Sequence, residues 1–114
     1  MASSSLDGLK FLVVEDEPLI AMDISMALED CGAKVTTTTT LEHAMLLAEH
    51  DGLAGAILDH SLGDGDSSLL RSRLTERGIP FLVYSGYEVT DVPYLTKPAP
   101  PDQLVAVIKR LIRR

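Results

Sequence analysis

The stretch LKFLVVEDEPLIAMD, residues 9–23, decides the fold. Residues 9–14 are almost entirely apolar, which is typical of a strand buried on both faces of a parallel sheet. Glu15, Asp16 and Pro18 follow at once, and acidic residues with a proline in the first turn mark the start of a helix. A buried strand that runs directly into a helix is therefore predicted, with two carboxylates at the junction.

The same alternation of short apolar runs and helical patterns continues along the chain. The first helix is predicted to end at Gly32, and Thr40 is predicted to cap the second. The further strands are predicted over residues 33–38, 54–58, 80–84 and 94–96, and the further helices over residues 41–50 and 66–76 and from Asp102 onward. This order predicts an α/β fold, a doubly wound five-stranded parallel sheet covered by helices on both faces.

One connection is shorter than this architecture requires. Only eight residues separate Ser85 from Tyr94, whereas parallel neighbours usually need a crossover of about a dozen residues or more, built around a helix. We therefore expect the fourth helix to be shortened or missing. Residues 1–7 are expected to form a flexible tail before a single domain, residues 8–114.

Composition limits the classes of function. With 114 residues and a net charge of −7, the chain has the size of one domain and lacks the clustered Lys and Arg that nucleic-acid binding requires. Cys31 is the only cysteine, which excludes an internal disulfide, and we expect it in the core. Apolar runs fall short of the eighteen or so residues that span a bilayer, and the N-terminus lacks a signal-peptide pattern. A cytoplasmic protein without a membrane or nucleic-acid partner is expected.

Polar residues stand at the carboxyl ends of four predicted strands. Glu15 and Asp16 follow the first strand, Asp59 the third, Ser85 the fourth and Lys97 the fifth. Ligands of open parallel sheets bind beyond these ends, so the five side chains are expected in one pocket. Two carboxylates about 4 Å apart repel by roughly 4 kcal/mol at an effective dielectric near 20, so the acids need a cation. Oxygen ligands with room for water favour Mg²⁺.

Each of these residues also has an ordinary interpretation, as a helix-start acid, an N-cap or a solvated charge. Their placement at successive strand ends favours a phosphoryl-acceptor site instead, because carboxylates are known nucleophiles for phosphoryl groups. Asp59 is then the acceptor. Lys97 can pair with Asp59 or with a phosphate oxygen, and Ser85 can donate a hydrogen bond to the same phosphate.

Four segments resemble the receiver domains of bacterial response regulators, and the resemblance covers almost the whole chain. The segments are VVEDEP at residues 13–18, ILD at 57–59, VYSG at 83–86 and TKP at 96–98. The resemblance implies a CheY-like, flavodoxin-like fold. It also implies that Asp59 takes a phosphoryl group from a phosphohistidine, on a sensor histidine kinase or a phosphotransfer protein.

The resemblance also assigns roles to single residues. Asp16 and Asp59 would bind Mg²⁺ directly, Glu15 through a water molecule and Ser61 through its backbone carbonyl. The phosphate would be contacted by Ser85, the switch hydroxyl, and by Lys97, with Tyr94 as the switch aromatic.

A finer resemblance concerns residues 80–87. Pro80-Phe81 with Ser85-Gly86-Tyr87 is similar to a subgroup of stand-alone or hybrid-kinase receivers. Val83, Tyr84 and Ser85 stand where that subgroup favours Phe, Ala and Thr. Gly63 occupies a position where many receivers have proline, which is expected to loosen the loop after Asp59.

Output is expected to depend on other proteins. No effector segment follows the last predicted helix, so a downstream protein partner is expected if the chain is complete. The last helix has a wide apolar sector that includes Val105 and Ile112, and part of it is expected to be exposed. With a reduced fourth helix, the usual symmetric dimer through the fourth helix, fifth strand and last helix is not expected.

Two other functions remain open. An aspartyl-phosphate-type phosphatase would use the same metal and nucleophile, but such enzymes carry a general acid two residues after the nucleophile, where this chain has Ser61. A pseudo-receiver would use the domain only to bind proteins. A phospho-accepting switch rather than an enzyme is the preferred interpretation.

Overall fold

The structure is a computed structural model that describes residues 5–86 and 92–112. Its elements are, in chain order, β1 (Lys10–Val14), α1 (Pro18–Glu29), β2 (Lys34–Thr38), α2 (Leu41–Leu47), β3 (Leu53–Leu58), β4 (Ser61–Leu62), β5 (Gly65–Asp66), α3 (Ser68–Glu76), β6 (Phe81–Ser85), β7 (Tyr94–Thr96) and α4 (Pro101–Ile112).

Five of the strands form one parallel sheet in the order β2-β1-β3-β6-β7. Alternate residues of β1 enter two separate cores, because successive side chains of a strand point to opposite faces. Phe11 and Val13 pack with α1 and α4, whereas Leu12 and Val14 pack with α2 and α3. The predicted α/β fold with a five-stranded parallel sheet is confirmed. Both faces of the sheet are covered, so its open side is the edge where the strands end.

Helix boundaries differ from the prediction in the middle of the chain. Helix α2 ends at Leu47 and α3 begins only at Ser68. The Asp66 side chain accepts hydrogen bonds from the backbone N–H of Ser68 at 3.0 Å and from its hydroxyl at 2.6 Å, so Asp66 lies before the helix and binds its first residue. Thr40 accepts a hydrogen bond from the N–H of His43 at 3.2 Å, which confirms the predicted cap of α2.

The loop after β3 contains a small antiparallel hairpin, β4 and β5, that the sequence analysis missed. Asp64 lies at its turn, and both of its carboxylate oxygens accept the N–H of Leu41 at 3.0 Å. The N–H of Glu42 binds the same carboxylate at 3.2 Å. These amides belong to the first turn of α2 and have no acceptor within the helix, so their bonds to Asp64 tie the loop to that helix. Gly63 therefore does not leave the loop loose.

The packed domain begins before residue 8. Leu6 is 1% exposed, and its N–H donates to the carbonyl of Cys31 at 2.9 Å. Cys31 is a buried free cysteine, as predicted. Burial of the Leu6 side chain in the same core orders a segment that the sequence analysis treated as tail, so residues 5–7 belong with the domain.

The connection between β6 and β7 falls mostly on residues 87–91, which lie outside the described residues. The prediction of a shortened or missing fourth helix, and the prediction about the dimer that depends on it, therefore remain predictions. The described parts of the chain contain four helices. None of them is long and apolar enough to cross a membrane.

The expectation of an exposed apolar strip on the last helix, α4, is wrong. The side chains expected to leave an exposed apolar strip are buried or half-buried: Leu104, Val105, Val107, Ile108, Leu111 and Ile112. The wide apolar sector is accounted for by two neighbours, because α4 packs against both α1 and the sheet. No side chain in that sector of α4 is exposed.

Candidate functional site

Three carboxylates meet where β1 and β3 end. The parallel hydrogen-bond pattern continues one residue beyond each strand: the N–H of Glu15 donates to Thr38 and the N–H of Asp59 donates to Val14, both at 3.0 Å. These bonds bring the residues that follow the two strands to one edge of the sheet. One carboxylate oxygen each from Glu15, Asp16 and Asp59 lies within 4.8 Å of the others. The predicted acid cluster is therefore present.

Glu15 is the buried member of the cluster, with a relative exposure of 1%. Its Oε1 lies 2.7 Å from the Nζ of Lys97, and its Oε2 accepts the N–H of Glu17 at 3.1 Å. Burial raises the pKa of Glu15, and the Lys97 ammonium and the Glu17 amide partly offset this effect. Both carboxylate oxygens of Glu15 already have protein partners.

Asp59 and Asp16 are more accessible. The side chain of Asp59 is 15% exposed, and its Oδ1 accepts the N–H of the following residue, His60, at 2.8 Å. Its Oδ2 lies 3.2 Å from the Nζ of Lys97. Asp16 is exposed. The cluster thus has a buried side at Glu15 and an open side at the two aspartates, where a ligand can approach.

Lys97 connects the cluster to the far edge of the sheet. Its ammonium bridges Glu15 and Asp59, and its side chain is 17% exposed. Burial lowers the pKa of Lys97, but the hydrogen bonds and charges of the two carboxylates outweigh that effect and raise it above its ordinary value. The backbone N–H of Lys97 donates to the carbonyl of Ser85 at 2.6 Å, which anchors the residue to β6.

The remaining predicted site residues lie around this group. Ser85 ends β6 and is 1% exposed, and its strand partner is Thr96, directly before Lys97. Ser61 is exposed and begins β4, two residues after Asp59. Tyr94 begins β7 and is 37% exposed. Their roles stay predictions.

Sequence reasoning missed Tyr84. Its ring centroid lies 5.7 Å from the Nζ of Lys97, and its hydroxyl accepts the N–H of Ala99 at 2.8 Å. The one signal in the sequence was a departure from the subgroup that residues 80–87 resemble, because that subgroup favours alanine at this position. Strand periodicity does not identify the contact, because Tyr84 and the adjacent Ser85 point to opposite faces.

The donor set of the cluster fits a hard divalent cation. Three carboxylates converge, and the two aspartates face the open side, which leaves space for water and for a phosphate oxygen. Mg²⁺ prefers such an arrangement, a few carboxylates with several other oxygen ligands. In the described parts of the chain, this is the only group of three or more His, Cys, Asp or Glu side chains with that spacing.

Comparisons with known proteins agree with this geometry. The chain is 31% identical to the transcriptional regulatory protein TcrA of Mycobacterium tuberculosis (strain ATCC 25618 / H37Rv) over 125 residues, covering 99% of this chain and 49% of TcrA. The receiver domain of the hybrid histidine kinase CckA superposes with a TM-score of 0.81 and 26% identity, covering 91% of this chain and 99% of that one. This chain is a response-regulator receiver domain. The resemblance found in the sequence is thus confirmed.

Two further facts complete the comparison. The receiver domain spans about half the length of the curated relative TcrA, and no family model matches it. The receiver domain of the sensor histidine kinase PA1611 from Pseudomonas aeruginosa PAO1 has a magnesium ion coordinated in its active-site cleft. It has the same fold, with a TM-score of 0.83 and 22% identity, covering 92% of this chain and 98% of that one. The acidic pocket of Glu15, Asp16 and Asp59 is consistent with a Mg²⁺-dependent phosphoacceptor site.

Proposed function

We propose that this receiver domain is a Mg²⁺-dependent phospho-switch in which Asp59 accepts a phosphoryl group from a phosphohistidine. The observation that carries the proposal is the position of the Asp59 carboxylate, 3.2 Å from the Lys97 ammonium and within 4.8 Å of oxygens of Glu15 and Asp16. Phosphorylation by a small acyl phosphate with and without Mg²⁺, followed by mapping of the modified residue, tests this function.

In the proposed transfer, a carboxylate oxygen of Asp59 attacks phosphorus and the bond from phosphorus to the donor imidazole nitrogen breaks. The imidazole leaves with the electron pair of that bond. Lys97 compensates the negative charge of the transferred group, and the hydroxyl of Ser85 donates a hydrogen bond to one of its oxygens. Positioning and charge compensation of this kind account for most of phosphoryl-transfer catalysis.

We assign the metal ligands as follows. Asp16 and Asp59 would hold Mg²⁺ directly, the backbone carbonyl of Ser61 would complete the protein ligands, and Glu15 would contribute through a water molecule. The engagement of both Glu15 oxygens by Lys97 and Glu17 supports the indirect role of Glu15. When bound, Mg²⁺ supplies positive charge that offsets the repulsion between the carboxylates and a phosphoryl group.

Magnesium should stabilise the domain through Asp16. At a concentration of about one hundred times Kd, a ligand that binds only the folded state adds about 2.7 kcal/mol to the free energy of unfolding. Asp16→Asn should remove more than half of this gain, because an amide oxygen is a weaker ligand for Mg²⁺ than a carboxylate. Melting temperatures with and without Mg²⁺ measure this gain in stability for both proteins. Asp30→Asn, an exposed change outside the cluster, is the control, and an equal Mg²⁺ shift in wild type and Asp16→Asn contradicts the assignment.

The phosphodonor is proposed to be a sensor histidine kinase or a phosphotransfer protein, which must bring its imidazole to the open side of the cluster. Helix α1 begins beside that side and carries three exposed apolar side chains at helical spacing, Leu19, Met22 and Met26, exposed by 73%, 54% and 54%. They share one face of the helix. An apolar face next to the acceptor supports a protein partner there, with output through a downstream protein.

The usual symmetric dimer is not expected after phosphorylation. The eight residues between Ser85 and Tyr94 are too few for a full helix with both of its turns, so one wall of that interface is expected to be absent. Light scattering with and without a phosphoryl mimic, combined with a crystal or solution structure, tests this expectation. A mimic-induced dimer that uses a well-formed fourth helix would refute this expectation.

The phosphatase and pseudo-receiver alternatives make different predictions. Rapid turnover of an added phosphoester would favour a phosphatase, although Ser61 stands where such enzymes carry a general acid. A domain that responds neither to Mg²⁺ nor to a phosphoryl mimic would be a protein-binding module only. A single modification of Asp59, without turnover of added phosphoesters, is the result that we expect.

A further inference from the structure

Tyr84 links the strand that carries Ser85 to the segment that carries Lys97. It precedes Ser85 on β6, is 7% exposed and packs in the core between the sheet, α1 and α4. Its hydroxyl accepts the N–H of Ala99 at 2.8 Å. The N–H of Lys97 donates to Ser85 at 2.6 Å. Residues 97–99 are thus held to β6 at two points, one of which is the Tyr84 side chain.

The same side chain also contacts the functional end of Lys97. The ammonium lies 5.7 Å from the ring centroid, within the distance at which a cation is attracted to an aromatic face. The aromatic ring therefore lies next to the ammonium that bridges Glu15 and Asp59. One residue thus contacts both the backbone of the segment and the charged group that the segment presents.

Lys97 has space to take another position. A cavity of about 140 Å³ lies beside it, walled by Tyr84 and by residues of α1 and of the start of α4, including Ile20, Asp23 and Leu104. Asp23 also lines this cavity and offers a carboxylate in addition to those of Glu15 and Asp59, which Lys97 already contacts. Without an interaction that restrains it, the Lys97 side chain could turn away from Asp59 toward Asp23, because the cavity leaves part of its surroundings unpacked.

We propose that Tyr84 is a positioning residue for phosphoryl acceptance at Asp59, acting through Lys97. Its hydroxyl fixes the segment that carries Lys97, and its ring keeps the ammonium on the side of Glu15 and Asp59. The proposal rests on the function assigned above to Asp59 and Lys97. It adds a specific residue to that site, at a position where the subgroup that residues 80–87 resemble favours alanine.

Tyr84→Phe retains the ring and removes the hydroxyl. The rate of Asp59 phosphorylation by a small acyl phosphate, at saturating Mg²⁺, should fall by about two- to tenfold, the equivalent of one ordinary hydrogen bond. Tyr84→Leu, which also removes the ring, should reduce the phosphorylation rate further. Thr75→Val is the matched control, because it removes a hydroxyl that donates to the carbonyl of Arg71 at 2.9 Å on α3, remote in sequence from the site. Its rate should equal that of wild type.

A double-mutant cycle separates positioning from a general loss of packing. In a Lys97→Met background, Tyr84→Phe should have no further effect on the rate, because the group through which it acts is absent. The same fold-loss in both backgrounds would overturn the proposal. A wild-type rate in Tyr84→Phe would also overturn it.

A second measurement does not need phosphorylation. The NMR signals of the Lys97 side-chain Cε and Nζ should shift in Tyr84→Phe and stay unchanged in Thr75→Val. Unchanged Lys97 signals in Tyr84→Phe would refute the positioning role. If wild type is not phosphorylated at Asp59, the proposed function fails, and these spectra still report whether Tyr84 positions Lys97.

Discussion

Asp59→Asn should abolish incorporation of a phosphoryl group from a small acyl phosphate while leaving the domain folded. The amide lacks the carboxylate oxygen that is proposed to attack phosphorus, so the loss should be complete rather than partial. The fold should tolerate the change because the amide oxygen can still accept the N–H of His60, as Oδ1 of Asp59 does at 2.8 Å. The side chain is 15% exposed and keeps contact with solvent, and its volume hardly changes.

Intact mass after incubation with the phosphodonor and Mg²⁺ measures the effect, and circular dichroism checks the fold. Asp51→Asn is the matched control. Asp51 is exposed, its ion pair with Arg77 lies on the surface, and it belongs to no part of the acid cluster. Undiminished labelling of the Asp59→Asn variant would refute Asp59 as the acceptor, and labelling mapped to another residue would reassign it.

Lys97→Met should destabilise the metal-free domain by about 1–3 kcal/mol at neutral pH. The change leaves Glu15, which is 1% exposed, with the Glu17 N–H as its remaining partner among the hydrogen bonds described above. Breaking a fully buried ion pair costs about 3–5 kcal/mol. We expect a smaller loss of stability for Lys97→Met because the lysine side chain is 17% exposed and exposed ion pairs contribute less.

The loss of stability of Lys97→Met relative to wild type, here called the deficit, should depend on pH in a defined direction. Burial raises the pKa of Glu15, and removal of the ammonium takes away an effect that lowers it. A carboxyl whose folded pKa exceeds its unfolded value of about 4.3 destabilises the fold as pH rises from the unfolded to the folded pKa. The deficit of Lys97→Met should therefore be largest near neutral pH and shrink as pH falls toward about 4.3. The lysine itself stays protonated throughout this range.

Urea unfolding of wild type and Lys97→Met between about pH 4.5 and 8 measures this dependence. Lys34→Met, an exposed change on β2, is the control and should show no deficit of this kind. Adding Glu15→Gln to Lys97→Met should restore part of the stability, because it removes the unpaired charge. A deficit that does not vary with pH, or that Glu15→Gln does not reduce, would contradict the role assigned to the Glu15–Lys97 pair.

The sequence by itself determined the fold class and the membership of the acid cluster. Both follow from short-range patterns: the apolar run before Glu15 predicts a strand buried on both faces, and Thr40 before an apolar helix predicts a cap. In a parallel sheet, the residues that follow the strands must reach one edge. Placing Glu15, Asp16 and Asp59 together therefore required the order of elements only, and no knowledge of how side chains pack.

Tertiary structure alone decided how the site residues are paired. Lys97 bridges to Asp59 across 38 positions, and Asp64 binds the amide of Leu41 across 23. No local sequence pattern predicts either contact, because each depends on how different elements are placed relative to one another. The same reason applies to the burial of Glu15 and to the contacts of Tyr84 with Lys97 and Ala99. Which carboxylate is buried, and what holds the lysine, depends on packing between segments that the sequence brings together only when the chain folds.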